Sequence, residues 1–133
     1  MSRSLLAVLL VLLLAAACSA PSSTATSPVS ASDRERYASE AQWAPGQLQA
    51  HFEKHRDGYR TEQEYDRGAR DVIRRGTALT YLDRESGDTH LGFYDRSTNR
   101  FTAMTADGRR ITTHFEPDNG ETYVRQLPRS TYR

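Results

Sequence analysis

The chain has 133 residues, of which 26% are charged and 37% hydrophobic, and its formal net charge at pH 7 is +1. This near balance argues against indiscriminate nucleic-acid binding, which usually goes with a large basic excess, but leaves room for a small basic site. The single cysteine excludes an intramolecular disulfide framework.

Residues 1–17 have the pattern of an export signal. Arg3 supplies a positive start, Leu5 to Leu14 form an apolar run, and small residues from Ala15 to Ala17 precede the cleavage point. The apolar run is shorter than the roughly 20 residues that a membrane-spanning helix needs. We therefore expect an exported protein without a permanent transmembrane helix.

Cys18 follows these alanines directly, where a bacterial lipoprotein signal places the residue that is lipidated after cleavage. The segment resembles a lipobox, although Ala15 stands where leucine is usual. This resemblance predicts an envelope protein held to the membrane by an N-terminal lipid anchor. The alternative is a plain secretory signal cut near Ser19-Ala20, which would leave Cys18 in the discarded piece and the protein secreted.

Residues 18–45 are predicted to form a tether and a connector. Ser19 to Ser32 consist almost entirely of Ser, Ala, Thr and Pro, and such a segment cannot bury enough apolar surface to offset its ordering entropy. The connector that follows is predicted to be helical around Glu35 to Gln42, with Tyr37 and Trp43 available to pack on the domain. The folded domain is then expected to span residues 46–133.

The first predicted helix of the domain follows Gly46. Leu48, Phe52 and His55 are spaced so that they lie on one helical face. Gly58, which can adopt the left-handed conformation, is suited to the end of this helix.

A second helix and a run of strands follow. Thr61 and Glu64 form a capping box, so the helix should begin there and stop at Gly76. Short β-branched and aromatic runs separated by turn residues then predict four strands: Ala78 to Arg84, His90 to Asp95, Arg100 to Thr105 and Arg110 to Phe115. A fifth short strand is expected near Tyr123-Val124-Arg125. The predicted fold is α+β, with two N-terminal helices packed on a four- or five-stranded antiparallel meander.

The helical segment from His51 to His55 carries the main functional candidates. Lys54 is the only lysine of the chain, and it lies between two imidazoles. Together these groups can supply a base, an acid and a fixed cation near neutral pH. The spacing of the histidines also matches a zinc-binding helix, but Phe52 stands where a His-Glu-x-x-His protease needs its glutamate, so we expect no metal.

Three motifs in this order resemble those of a known toxin family. They are His-x-x-Lys-His at 51–55, Tyr-Asp-x-x-Thr-Asn-x-Phe at 94–101 and Ile-x-Thr-x-Phe at 111–115. The arrangement is similar to that of the colicin D and CdiA C-terminal tRNase toxins, within the barnase, EndoU, colicin and RelE-like nuclease group. The likeness covers roughly Leu48 to Gln126.

The resemblance implies metal-free cleavage of RNA, most plausibly tRNA, without a cofactor, and an immunity protein that neutralises the toxin in kin. It implies that His55 acts as the base and that Lys54 stabilises the charge that develops on the phosphate. The further candidates are His51 as a second acid-base group, Thr113 as a hydroxyl donor, Phe115 as a stacking ring, and Thr112 and His114 beside the substrate. His90 is expected on a strand surface.

An alternative from a different class is an envelope lipoprotein that uses the same fold as a binding or scaffolding module. In that case the histidines would have no catalytic role, and the nearly balanced charge favours this view.

The lipobox interpretation predicts that the mature protein begins at Cys18 and carries a diacylglyceryl group. Mass spectrometry of the mature N-terminus, expressed in a bacterium with lipoprotein processing, should show the lipid mass, and Cys18→Ser should abolish it. An unmodified N-terminus beyond Cys18 would instead identify a secretory signal.

Overall fold

The computed structural model describes residues 27–130 and shows an α+β fold, as the sequence predicts. The predicted signal peptide at 1–17, Cys18 and residues 131–133 lie outside this part of the chain. Four helices and five strands follow one another as α1 (Ala31–Glu40), β1 (Gln42–Trp43), α2 (Gln47–Lys54), α3 (Glu62–Arg75), β2 (Thr77–Leu82), β3 (Thr89–Asp95), β4 (Arg100–Thr105), β5 (Arg110–Phe115) and α4 (Glu121–Gln126). None of these helices is long and apolar enough to span a membrane.

The sheet has the strand order β1-β5-β4-β3-β2. The run from β2 to β5 is the predicted antiparallel meander. The sheet as a whole is mixed, however, because β1 lies parallel to β5, with Trp43 opposite Ile111. At the other edge, the amide of Leu82 donates to the carbonyl of Pro128 at 2.8 Å, and Tyr81 forms an antiparallel bridge with Arg129.

The two predicted helices form close to where their local signals place them. α3 begins at the Thr61 cap, whose hydroxyl accepts from the amide of Glu64 at 3.2 Å, while the Glu64 carboxylate accepts from the amide of Arg60. α2 ends at Lys54, so His55 occupies the C-cap rather than the last helical turn. Gly58 then takes a φ of +88°, which confirms its predicted left-handed conformation.

The segment predicted to be a tether and connector belongs to the fold, and the structured part begins before residue 46. Val29 is buried, Ser30 caps α1 with its hydroxyl, and Ala38 has no exposed surface. Small side chains allow α1 to pack closely on α3, where Arg70 donates to the carbonyl of Ala38 at 2.8 Å. The predicted tether up to Ser32 therefore extends too far into the domain.

The strand predicted near Tyr123-Val124-Arg125 is wrong, since these residues lie in α4. Their alternation of side-chain types over three residues cannot distinguish a strand from a single helical turn. The helix buries Val124 and places Tyr123 edge-on to Phe101, with ring centroids 5.4 Å apart.

The sheet has a hydrophobic cluster on each face. One cluster lies under α1 and α3 and contains Val29, Ala38, Ala41, Val72, Ile73, Leu91, Phe93, Met104 and Ile111. The other lies towards α4 and contains Leu79, Tyr81, Tyr94, Phe101, Ala103 and Val124. Because both faces are covered, the inner strands bury residues on both sides and do not alternate between apolar and polar types.

A buried chain of hydrogen bonds runs through His114. Arg100 carries only donors, so it donates to the Tyr59 oxygen at 2.6 Å, and the Tyr59 hydroxyl donates to His114 Nε2 at 3.0 Å. His114 Nδ1 must then carry the proton and donate to Thr102 Oγ1 at 2.8 Å, which in turn donates to the carbonyl of Ala69 at 3.2 Å. Both ring nitrogens of His114 and the hydroxyls of Tyr59 and Thr102 are thereby satisfied, whereas the buried Nε of Arg100 has no hydrogen-bond partner among the described residues.

The predicted role of His114 in substrate contact is corrected by this arrangement. Its side chain is 1% exposed and lies on the sheet face that packs against α3, where Tyr65 also donates to its carbonyl. Burial lowers the pKa of His114 to about 3. The imidazole is therefore a neutral structural element.

This burial predicts a pH-dependent stability. The unfolded chain protonates this imidazole below about pH 6.5, whereas the folded protein does so only near pH 3, so stability is full above 6.5 and falls as the pH drops towards 3. The complete effect is on the order of 4 kcal/mol. Urea unfolding between pH 7 and pH 5 should show the decline.

The matched variant is His114→Gln. It should lose about 1 to 3 kcal/mol at pH 7, because buried hydrogen-bonding groups lose partners, and its stability should depend less on pH than that of the wild type. Equal pH dependence of the two proteins would contradict the assignment.

Candidate active site

A polar cavity of about 530 Å³ opens on the sheet face that carries α4. Its walls come from α2, from β5, from the β2–β3 hairpin and from α4. The lining side chains are Gln47, Ala50, His51, Lys54, His55, Tyr81, Asp83, Glu85, His90, Thr112, Thr113, Phe115 and Tyr123. All the predicted site residues within the described part of the chain are brought together here, apart from His114.

One wall is formed by the polar side of α2. The rings of His51 and His55 stack with centroids 6.0 Å apart, as residues four apart on a helix can do. Lys54 lies beside them and is exposed, and its ammonium has no ion-pair or hydrogen-bond partner among the described residues. This wall therefore presents an uncompensated cation next to two imidazoles.

The electrostatics of this wall favour neutral imidazoles. Burial lowers the pKa of His51, and the charges of His55 and Lys54 lower it further, against a smaller opposite effect of Glu85. Burial also lowers the pKa of His55, with a further contribution from Lys54 and an opposing one from Asp57. Near pH 7 both rings are therefore predominantly in the form that accepts a proton.

Aromatic side chains hold the imidazoles in place. Trp43 on β1 lies 5.6 Å from His51 between ring centroids and donates from Nε1 to Asp66 on α3 at 2.8 Å. Phe115 lies 5.5 Å from the His55 ring. The edge strand β1, which was assigned to the connector, thus supports the cavity wall from behind.

A β-bulge determines which hydroxyls reach the cavity. Ala103 pairs with Thr113 and Met104 with Ile111, so Thr112 is an extra residue in β5. Consecutive strand residues normally point to opposite faces, but here Thr112 and Thr113 both line the cavity. The buried hydroxyl of Thr112 has no hydrogen-bond partner among the described residues.

Phe115 belongs to an aromatic cluster rather than standing free in the cavity. Its ring centroid lies 5.7 Å from that of Phe101 and 5.2 Å from that of Tyr123, both in edge-on geometry. Together with the contact to His55, these neighbours fix the ring. Part of Phe115 still faces the cavity beside Tyr123.

The sequence prediction missed the opposite wall, which comes from the β2–β3 hairpin. His90 was expected on a strand surface but is only 8% exposed and lines the cavity, with Tyr81 edge-on at 5.9 Å. Asp83 and Glu85 add two carboxylates to this wall. The only sequence signal was that His90 lies on a strand, which leaves its face undetermined when both faces are buried.

Neither a metal site nor similarity to known proteins indicates the role of the cavity. Within residues 27–130, no three histidine, cysteine, aspartate or glutamate side chains are grouped as a metal site would require. No protein-family model matches the chain, and a search of curated proteins finds no match. The chemistry of the cavity and the motif resemblance remain as the indications of function.

Removing the cation of the α2 wall should raise the pKa of both imidazoles. In Lys54→Met, NMR titration of the His51 and His55 ring protons should give higher pKa values than in the wild type, because a positive neighbour disfavours imidazolium. Buried His114 serves as the internal control and should not titrate above pH 5 in either protein. Unchanged values at positions 51 and 55 would show that Lys54 is too well solvated to act on them.

Proposed function

We propose that the domain is a metal-independent endoribonuclease of the colicin D and CdiA toxin type, acting on a single-stranded loop of an RNA such as tRNA. The observation that carries the proposal is the convergence in one cavity of two imidazoles, the Lys54 ammonium and the Thr112 hydroxyl, the last two without partners within residues 27–130. These groups come from distant parts of the chain. Metal-free transesterification of RNA needs this combination of a base, a cation and hydrogen-bond donors.

In the proposed reaction, neutral His55 removes the proton of a ribose 2′-hydroxyl, and that oxygen attacks the adjacent phosphorus. The lowered pKa of His55 suits a base at neutral pH. Lys54 stabilises the charge on the non-bridging oxygens, and the hydroxyls of Thr112 and Thr113 donate hydrogen bonds to them. The products are a 2′,3′-cyclic phosphate and a 5′-hydroxyl end.

The rings of Phe115 and Tyr123 would hold an unpaired base. They contact each other edge-on, and both line the cavity. Stacking on aromatic side chains contributes about 1 to 3 kcal/mol per base and needs a base free of its duplex. His51, stacked on His55, would act as a second acid-base group or hold the first ring in place.

The biological setting proposed for this activity is competition between bacteria. The protein would be exported, either secreted or tethered to the envelope through Cys18, and a cognate immunity protein would protect kin cells. An acidic partner that covers Lys54 and the imidazoles would block the site directly.

A non-catalytic envelope module is the second candidate. The observation that favours it is the presence of Asp83 and Glu85 in the same cavity, since two carboxylates oppose binding of a phosphate backbone. Loss of Arg3 with the signal would also reduce the formal charge from +1 to zero.

Incubation of residues 19–133, which exclude the predicted signal peptide and Cys18, with total tRNA in EDTA separates these candidates. We expect cleavage with cyclic-phosphate ends, and a loss of about 10²- to 10⁴-fold in His55→Ala. Glu53→Gln is the matched control, because Glu53 is exposed on the same helix but does not line the cavity. Absence of cleavage by the wild type at all concentrations would leave the binding module as the better account.

Lys54→Arg tests whether the cation must be compact. Arginine keeps the charge but replaces a point-like ammonium by a broad planar group, so it should displace the phosphate from the imidazoles. We expect a large loss of cleavage rate with little change in thermal unfolding. If arginine supports the wild-type rate, charge alone is required at position 54.

A further inference from the structure

A transesterification that begins at the α2 wall also needs a proton donor at the leaving oxygen. The 2′-oxygen attacks phosphorus as the bond to the 5′-oxygen breaks, and the two oxygens lie on opposite sides of the phosphorus. A base on one wall of the cavity is therefore best complemented by an acid on the other. His51 and His55 both lie on α2, and the neighbouring Lys54 disfavours their protonated forms.

We propose that His90 is the general acid of this reaction, donating its proton to the 5′-oxygen of the leaving nucleotide. The inference rests on the proposed ribonuclease function and adds a residue that the toxin resemblance does not include. His90 lies on β3, two strands from the Thr112 and Thr113 hydroxyls on β5, and so faces the cavity from the side opposite α2.

The surroundings of His90 leave its ring available for this role. The imidazole is 8% exposed, and its Nδ1 atom is buried without a hydrogen-bond partner among the described residues. Its position depends on ring packing, since Tyr81 lies edge-on at an interplanar angle of 85°. By contrast, buried His114 has both ring nitrogens engaged by protein groups.

A carboxylate lies on the same wall of the cavity as His90. Asp83 accepts hydrogen bonds from the amide and the hydroxyl of Ser86, each at 2.8 Å, which hold it at the end of β2. Burial raises the pKa of Asp83, but the bonds from Ser86 and the charge of His90 outweigh it, so the carboxyl stays ionised. The other polar or charged side chains that line the cavity are Glu85, Tyr81, Tyr123, Gln47, His51, Lys54, His55, Thr112 and Thr113.

The proposed step balances without a further reactant. The bond between the 2′-oxygen and phosphorus forms while the bond between phosphorus and the 5′-oxygen breaks. The 2′-hydroxyl proton passes to His55, and the His90 proton passes to the 5′-oxygen.

The test uses two synthetic RNAs that span a linkage cleaved by the wild type. One is natural, and the other has sulfur in place of the bridging 5′-oxygen, because a thiolate leaves without needing a proton. We expect His90→Gln to cleave the natural RNA at least about 10²-fold more slowly than the wild type. On the sulfur-substituted RNA, the same variant should approach the wild-type rate.

Two comparisons keep the outcomes distinct. His55→Ala should be slow on both RNAs, because the 2′-hydroxyl must lose its proton whichever atom leaves. Thr89→Ala, on the same strand as His90 but outside the cavity, should be fast on both. His90→Ala is the second variant, and thermal unfolding is measured for each protein. A misfolded variant would not recover on the sulfur-substituted RNA, so recovery identifies a chemical role.

Equal loss on both RNAs in His90 variants that unfold like the wild type would overturn the assignment of the acid. So would full activity of these variants on the natural RNA while His55→Ala is impaired, and in both cases the ribonuclease proposal would stand. Failure of the wild type to cleave any RNA would instead overturn the ribonuclease proposal and, with it, the role of His90.

Discussion

The hydrogen bonds that converge on His114 join parts of the chain that would otherwise be only loosely connected. They link Tyr59, in the loop after α2, to β4, β5 and α3. Because each donor has one acceptor, the imidazole must be neutral and must carry its proton on Nδ1. Gly68 leaves room for the Tyr59 ring in this network, since a Cβ at position 68 would overlap the Tyr59 hydroxyl. The network thus fixes how α2 sits against β5, and with it the distance between the imidazole wall and the bulge hydroxyls.

The cavity exists because the sheet is covered unevenly. α1 and α3 cover one face fully, whereas α4 is a short helix and fills only part of the other. The gap beside α4 is bounded by α2 and lined with polar groups, of which His51, His90 and Thr112 each have a buried atom without a hydrogen-bond partner among the described residues. Leaving such atoms unpaired normally costs about 1 to 3 kcal/mol each, so their concentration in one cavity is consistent with a ligand or solvent that satisfies them.

Local signals in the sequence were sufficient for α2, α3 and the meander, because each depends on short-range periodicity and on capping or turn residues. They failed where contacts across the chain decide. The connector helix around Glu35 was predicted, but its start and the burial of Val29 were missed, because the Ser- and Ala-rich residues before Asp33 look like a linker until α1 packs against α3. The burial of His114 and the cavity-facing position of His90 depended on which elements cover each face of the sheet. The wall carried by α2 and the candidates Thr112, Thr113 and Phe115 on β5 could therefore be predicted, while the wall from the β2–β3 hairpin required the tertiary structure.

The pairing of β1 with β5, and of residues 128–130 with β2, means that both outer strands of the meander are covered by segments near the ends of the described chain. An uncovered edge strand offers a row of free amides and carbonyls to any other extended chain and so promotes association between molecules. Here β1 and residues 128–130 form hydrogen bonds with part of these edges. The segment that contains β1 thus also covers part of the outer edge of β5 and limits edge-to-edge association.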